Sequence, residues 1–144
     1  MKPQAKILGL GLILVAGIAL AKEGVTNPVV KERMDLMQVV RLNTGTLGDM
    51  ASGKVRFNAA TAAEAKAALA AAAAQIPEKF EPQEIDPVSE ARPEIWGNFA
   101  DFTGKAKSLQ EAALALDTAS VEGVRAGMGA VGGACKACHT DYRM

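Results

Sequence analysis

The chain ends in GGACKACHTDYRM, residues 132–144, and this stretch decides how the rest of the sequence is interpreted. It contains both cysteines of the chain, Cys135 and Cys138, and the only histidine, His139. A disulfide between two cysteines so close together would constrain little of the unfolded chain. The two cysteines of the C-x-x-C-H motif are therefore predicted to have a chemical role and not that of a structural disulfide.

C-x-x-C-H is the attachment signature of c-type haem. On a helix, Cys135 and Cys138 lie about one turn apart on the same side, within reach of two neighbouring vinyl groups of a porphyrin. The imidazole of His139 then follows at the position of a proximal iron ligand. We predict one covalent haem c per chain, attached to the two cysteines, with its iron bound by His139.

Two other kinds of site use the same residue types. A structural zinc site needs four ligands, and the chain has no histidine or cysteine outside the motif. A thioredoxin-like redox pair belongs in a βαβ unit, and no segment of this sequence has the pattern of a strand. Haem c fits the sequence better than either alternative.

Residues 1–21 have the pattern of a cleaved secretory signal peptide. Lys2 and Lys6 precede an apolar run over residues 7–18, and an A-x-A cleavage site follows at residues 19–21. The run is shorter than the roughly 20 residues that cross a bilayer, and an uncleaved anchor is the alternative. Cleavage leaves residues 22–144 as one exported domain with 14 basic and 16 acidic residues. So small a net charge argues against nucleic acid or an anionic membrane as the main partner.

Two long helices are predicted in the first half of this domain. The first covers about residues 28–52, because apolar residues recur every three or four positions, Asn27 suits the N-cap and Gly53 suits the end. The second begins at a capping box over residues 61–64 and ends at Pro77.

The second half of the domain contains a loop and two further helices. A loop rich in prolines covers residues 77–92, and a third helix follows from Pro93 to about Leu116. The fourth begins near Ala119 and carries the C-x-x-C-H motif. Four of its glycines leave room for a bulky group to approach the backbone: Gly127, Gly129, Gly132 and Gly133. The pattern predicts an all-α, antiparallel four-helix bundle with haem c near the C-terminal end of the last helix.

Four segments resemble the class II c-type cytochromes, the cytochrome c′ family. RMDLM at residues 33–37 is similar to the R-x-x-x-M element of that family, and GTLGDMASGK at residues 45–54 is similar to the end of its first helix. ARPEIW at residues 91–96 is similar to the start of its third helix, and CKACHTDYR at residues 135–143 to its C-terminal signature.

The resemblance implies a periplasmic four-helix bundle with haem c, often a homodimer through the first two helices. It implies that His139 is the proximal iron ligand and that Met37 occupies the distal position. Met34, one turn earlier, is the alternative distal residue. The resemblance also implies that Arg33 lies near the haem propionates and Arg143 on the proximal side.

The distal residue separates two functions. A thioether ligand from Met37 favours ferrous iron and suits the transfer of single electrons between Fe(III) and Fe(II), with redox proteins as partners. Methionine is also an ordinary core residue, and a five-coordinate iron would instead bind NO or CO for sequestration. Because the only histidine is assigned to iron, general acid–base catalysis has no candidate residue, and we predict that the protein is not an enzyme.

Overall fold

The computed structural model describes residues 24–144, and the predicted signal peptide at residues 1–21 lies outside this range. The helices in the described range are α1 (Pro28–Ala51), α2 (Ala59–Phe80), α3 (Glu94–Gly97), α4 (Phe99–Leu114) and α5 (Val121–Tyr142). No helix in residues 24–144 is long and apolar enough to cross a membrane.

The four long helices form an antiparallel bundle. Helix α1 packs against α2 and α5, and α4 packs against the same two helices, so each long helix has two long neighbours. The centre is filled by aliphatic side chains with almost no exposed surface, among them Leu47, Leu69, Leu116, Val124 and Val131. The predicted all-α bundle is confirmed, with the one-turn helix α3 in addition.

The two ends of α1 agree with the sequence. The side chain of Asn27 accepts hydrogen bonds from the backbone N–H groups of Val29 (2.9 Å) and Val30 (3.2 Å), so it is the N-cap. After α1 ends, Gly53 adopts a φ of +78°, in the left-handed region that glycine enters at low cost.

Helix α2 begins earlier than the sequence predicted. Its N-cap is Asn58, whose side-chain oxygen accepts a hydrogen bond from the N–H of Thr61 at 2.9 Å, and the helix begins at Ala59. The predicted start at a capping box over residues 61–64 is therefore wrong. Asparagine is as good an N-cap as threonine, and the following alanines favour a helix.

Helix α2 also ends later than predicted, because Pro77 lies within it and the helix continues to Phe80. The extra turn has tertiary partners that its local sequence does not show. The carbonyl of Lys79 accepts from Arg33 Nε at 2.9 Å, and the carbonyl of Phe80 accepts from Trp96 Nε1 at 2.8 Å. These bonds pair carbonyl groups that a helix end otherwise leaves free.

The predicted third helix is two helices. Asn98, with φ −138° and ψ 52°, separates α3 from α4. We call residues 81–93 the strap, because this segment crosses the end of the bundle between α2 and α3 and contacts both the start of α1 and the end of α5.

Helix α5 is continuous despite its glycines, and two of them are required by close packing. A Cβ at Gly123 would lie 2.7 Å from the carbonyl oxygen of Asp117, and a Cβ at Gly127 would lie 2.5 Å from Leu116 Cδ2. The predicted room for a bulky group is therefore wrong at Gly127, where Leu116 fills it. The predicted room is present at the other three glycines, since no atom lies within 4 Å of a Cβ at Gly129, Gly132 or Gly133.

We predict opposite effects for two glycine-to-alanine substitutions in α5. Gly123→Ala places a methyl group against backbone, which cannot move cheaply, and should lower the free energy of unfolding by about 1–3 kcal/mol. Gly129→Ala gains helix propensity in open space and should raise it by about 0.5–1 kcal/mol. Urea unfolding of the haem-loaded protein measures both, and equal effects at the two positions would contradict the packing of Gly123.

Candidate haem site

The two thiols of the motif lie on the inner face of α5. Cys135 and Cys138 are both free and half-buried, and both pack against the hydrophobic core of the bundle. Three residues of helix separate them, so their directions differ by only about 60°. His139 is exposed and lies about 100° further round the helix than Cys138.

The register between α1 and α5 identifies what faces His139. The methyl carbon of Met128 lies 3.9 Å from the position of a Cβ at Gly48, so these two residues face each other. Arg125 Nε donates to the carbonyl of Ala51 at 2.9 Å. Ala51 is three residues after Gly48, whereas Arg125 is three residues before Met128, so the two helices run antiparallel.

Counting residues along both helices from these contacts towards the motif relates Met37 of α1 to His139 of α5. Met37 is eleven residues before Gly48, and His139 is eleven residues after Met128. Eleven residues are close to three helical turns, so each side chain points within about 20° of the residue from which it is counted. On ideal helix geometry this register would bring Met37 and His139 to one level on the facing sides of α1 and α5. Met37 is half-buried against the core.

Arg33 lies at the same end of the bundle, but its guanidinium is buried and engaged. The residue is 2% exposed, and the guanidinium lies between the rings of Phe80 and Trp96, 5.2 Å and 5.3 Å from their centroids. It donates to the backbone carbonyls of Lys79 and, in the strap, of Glu84 (2.8 Å) and Pro82. Burial lowers the pKa of Arg33, and the nearby Glu84 carboxylate opposes this effect. A contact between Arg33 and a haem propionate stays a prediction.

Arg143 lies one turn after His139 and pairs with the strap. Its Nε donates to Glu90 Oε2 at 2.6 Å, and its backbone N–H donates to the carbonyl of His139. Glu90 could not be predicted from the sequence, since no local pattern indicates that the strap returns to α5. Burial, and then the positive charge of Arg143, lower the pKa of His139, while Glu90 opposes them. A lowered pKa favours the neutral imidazole, the form that binds metal.

The motif residues have the chemistry that haem c requires. Burial raises the pKa of Cys135 and Cys138, so both thiols are held in the protonated form. No disulfide joins them, and no group of three His, Cys, Asp or Glu side chains in residues 24–144 is arranged to hold a metal ion. Two half-buried thiols on one side of α5, followed directly by an imidazole whose pKa is lowered, match a covalently bound porphyrin better than a zinc site, which needs four ligands.

Comparisons with known proteins also indicate a haem protein. The family model for cytochrome c′ matches residues 28–143. The chain belongs to the cytochrome c′ family. The group that this family binds is haem c with its iron, which confirms the predicted cofactor.

Individual relatives cover most of the chain. Cytochrome c-556 of Agrobacterium tumefaciens is 35% identical over 115 residues, which are 78% of this chain and 91% of the relative. The solved structure of cytochrome c′ from Rhodobacter sphaeroides superposes with a TM-score of 0.74 at 30% identity and covers 81% of this chain and 95% of its own. The nitric oxide complex of a variant of cytochrome c′ from Alcaligenes xylosoxidans has a TM-score of 0.71 at 29% identity, covering 80% and 93%.

In this member of the cytochrome c′ family, Asp86 attaches the strap to the start of α1. Its Oδ2 atom accepts hydrogen bonds from the N–H groups of Thr26 (2.9 Å) and Asn27 (3.0 Å) and from the hydroxyl of Thr26 (3.1 Å). Its Oδ1 atom accepts from the N–H of Val88 at 3.0 Å. The N–H groups of Val88, Asn27 and Thr26 lower the pKa of Asp86 from 3.8 to about 2.

We predict that Asp86→Asn destabilises the protein in a pH-dependent manner. A carboxylate whose pKa is lowered in the folded state stabilises that state above the unfolded pKa of 3.8, and the contribution is lost as the pH falls towards 2. The difference in free energy of unfolding between wild type and variant should therefore be largest near neutral pH and shrink as the pH falls below 3.8 and through 2.

Urea unfolding of the haem-loaded protein at several pH values measures this difference. Asp49→Asn is the control, because Asp49 is an exposed partner of Lys54 at the other end of α1. Its effect should stay within about 0.5 kcal/mol. A pH-independent effect of Asp86→Asn would contradict the assignment of four hydrogen bonds to an ionised carboxylate.

Proposed function

We propose that this protein is a periplasmic monohaem cytochrome that carries single electrons and does not transform a substrate. Cys135 and Cys138 would hold haem c through thioether bonds, and His139 on α5 and Met37 on α1 would be the ligands of its iron. The observation that supports this proposal is the register of α1 against α5 at Gly48–Met128 and Ala51–Arg125. Continued over three turns of ideal helix, it would bring Met37 and His139 to one level.

Each residue has a defined part in electron transfer. Haem c, when bound, supplies the one-electron chemistry by cycling its iron between Fe(III) and Fe(II). The thioether bonds keep the group attached to the protein. His139 and Met37 would be the protein ligands of the iron, and a thioether ligand favours the ferrous state. In residues 24–144, His139 is the only histidine, so no second imidazole is present for acid–base catalysis.

Mass spectrometry tests the attachment. Exported wild-type protein should lack residues 1–21 and carry the mass of one haem, and the Cys135→Ser, Cys138→Ser double variant should carry none. Wild-type protein at the mass of the bare polypeptide would refute the proposal. The same measurement locates the cleavage site, because an uncleaved anchor would leave residues 1–21 in place.

Gas binding is the second candidate function, and one observation favours it. A solved relative of the same fold, cytochrome c′ from Alcaligenes xylosoxidans, is known as a nitric oxide complex. If Met37 only packs above the iron, the distal side is open to NO or CO, and the protein would serve to sequester them. The two functions therefore differ in the bond that one sulfur atom makes.

A homodimer through α1 and α2 stays a prediction. Several alanines of α2 that would permit close contact are instead buried inside the bundle: Ala62, Ala65, Ala70, Ala72 and Ala73. The outer face of α1 still offers two exposed apolar side chains, Val39 (41%) and Leu42 (51%). Sedimentation of wild type and a Leu42→Glu variant, at several concentrations, measures whether this face joins two copies.

We predict that Met37→Leu converts the iron from six-coordinate to five-coordinate. Leucine has a similar volume but no sulfur, so the packing changes little while the ligand is lost. The oxidised variant should show high-spin absorption bands and lose the weak far-red sulfur-to-iron band. The ferrous variant should bind CO at least tenfold faster than wild type.

Met34→Leu is the matched control, since Met34 lies one turn earlier on α1 and was the alternative distal residue. Its spectrum and CO binding should match those of wild type. High-spin bands in the wild-type protein would refute ligation by Met37 and favour gas binding. Loss of the far-red band in Met34→Leu alone would assign the ligand to Met34.

A further inference from the structure

The last turn of α5 is tied to α4 by a network of four side chains. The Tyr142 hydroxyl donates to Asp101 Oδ2 at 2.6 Å. Lys105 Nζ lies 3.5 Å from the same oxygen of Asp101 and 2.9 Å from Asp141 Oδ2. Asp101 and Lys105 belong to α4, while Asp141 and Tyr142 belong to α5, so Asp101 and Lys105 each make a tie across the two helices.

This network adjoins the proposed haem attachment. Tyr142 lies one turn after Cys138 on the inner face of α5, because residues four apart on a helix are neighbours. Asp141, the partner of Lys105, follows Cys138 by three residues on α5, so it also lies about one turn from the thiol. His139 directly follows Cys138, on the same turn of α5.

The tie through Tyr142 is directional. Tyr142 is 6% exposed, and its ring packs edge-on against Phe102 with 5.4 Å between centroids. A buried tyrosine hydroxyl needs a hydrogen-bond partner, and a carboxylate is a stronger acceptor than a neutral group. The ring and the hydroxyl therefore hold the rotation of the last turn of α5 about its own axis.

That rotation determines where the His139 side chain points. A side-chain tip at the surface of a helix lies about 6 Å from its axis, so a rotation of about 10° moves it by about 1 Å. The strap holds the same turn from the other side, through hydrogen bonds from the Arg92 N–H to the Tyr142 carbonyl (3.0 Å) and from the Met144 N–H to the Glu90 carbonyl (2.8 Å).

We propose that Asp101 is a positioning residue for the haem-binding turn, acting through Tyr142 to fix the direction of His139. The inference rests on the proposed attachment of haem to Cys135, Cys138 and His139. It assigns to α4 a part in setting the properties of the iron, although α4 contributes no ligand.

Haem-loaded variants test this role by their reduction potential and their oxidised spectrum. Tyr142→Phe and Asp101→Ala should each change the equilibrium constant for reduction at least threefold, which is about 28 mV for one electron. The double variant should show no larger change than Asp101→Ala alone, since Tyr142 acts through its bond to Asp101, whereas Asp101 also pairs with Lys105. Asp101→Glu keeps the acceptor and should recover most of the wild-type value.

The control is Lys107→Ala, which removes an exposed ion pair with Glu111 on the same helix, at 3.7 Å. It should leave potential and spectrum unchanged. An unchanged reduction potential in Tyr142→Phe would overturn the inference. This variant lacks only the hydroxyl oxygen, so it still tests the role of the hydrogen bond if Asp101→Ala does not fold. Additive effects of the two substitutions would also overturn it.

The haem content of each variant is measured first, because it tests the proposed haem attachment separately from the proposed role of Asp101. Wild-type protein without covalent haem would overturn the proposed function and this inference with it. Attached haem in all variants, with equal potentials, would overturn the role of Asp101 alone and leave the proposed function intact.

Discussion

The antiparallel register of α1 against α5 is the constraint on which the site depends. It is fixed near one end of the bundle, where Gly48 meets Met128 and where Arg125 binds the carbonyl of Ala51. Because both helices rise by the same amount per residue, that contact also determines what meets three turns away. On ideal helix geometry Met37 and His139 would face each other there, so packing at one end of the bundle would set the pair of iron ligands proposed at the other end.

The strap completes the end of the bundle that holds the site. Buried Arg33 joins its backbone to α2, Asp86 joins it to the start of α1, and Glu90 joins it to Arg143 beside His139. A buried guanidinium is costly unless its N–H groups are paired, and the carbonyls of the strap and α2 supply that pairing. Arg33 thus has a structural part that is independent of any propionate contact.

Periodicity and capping were sufficient to predict the bundle, and the C-x-x-C-H motif was sufficient to predict the cofactor. The predictions from the sequence fail where contacts between residues far apart in the chain determine the structure. Pro77 lies inside α2 because Arg33 and Trp96 pair the carbonyls of the following turn, and these partners are far away in sequence. The tie from Tyr142 to Asp101 was likewise missed, since a hydrogen bond between two helices leaves no local pattern.

Helix α5 shows how such distant contacts compensate for a poor local sequence. Its glycines disfavour a helix, yet Gly123 and Gly127 let the α4–α5 connection pack directly on the backbone. The cap at Ser120 and the ties at Tyr142 hold its two ends. When a helix is stabilised mainly at its ends and by its neighbours, the positions of those neighbours determine where the residues of the helix lie. For this reason the residues around α5, and not the motif alone, should determine the geometry offered to the haem iron.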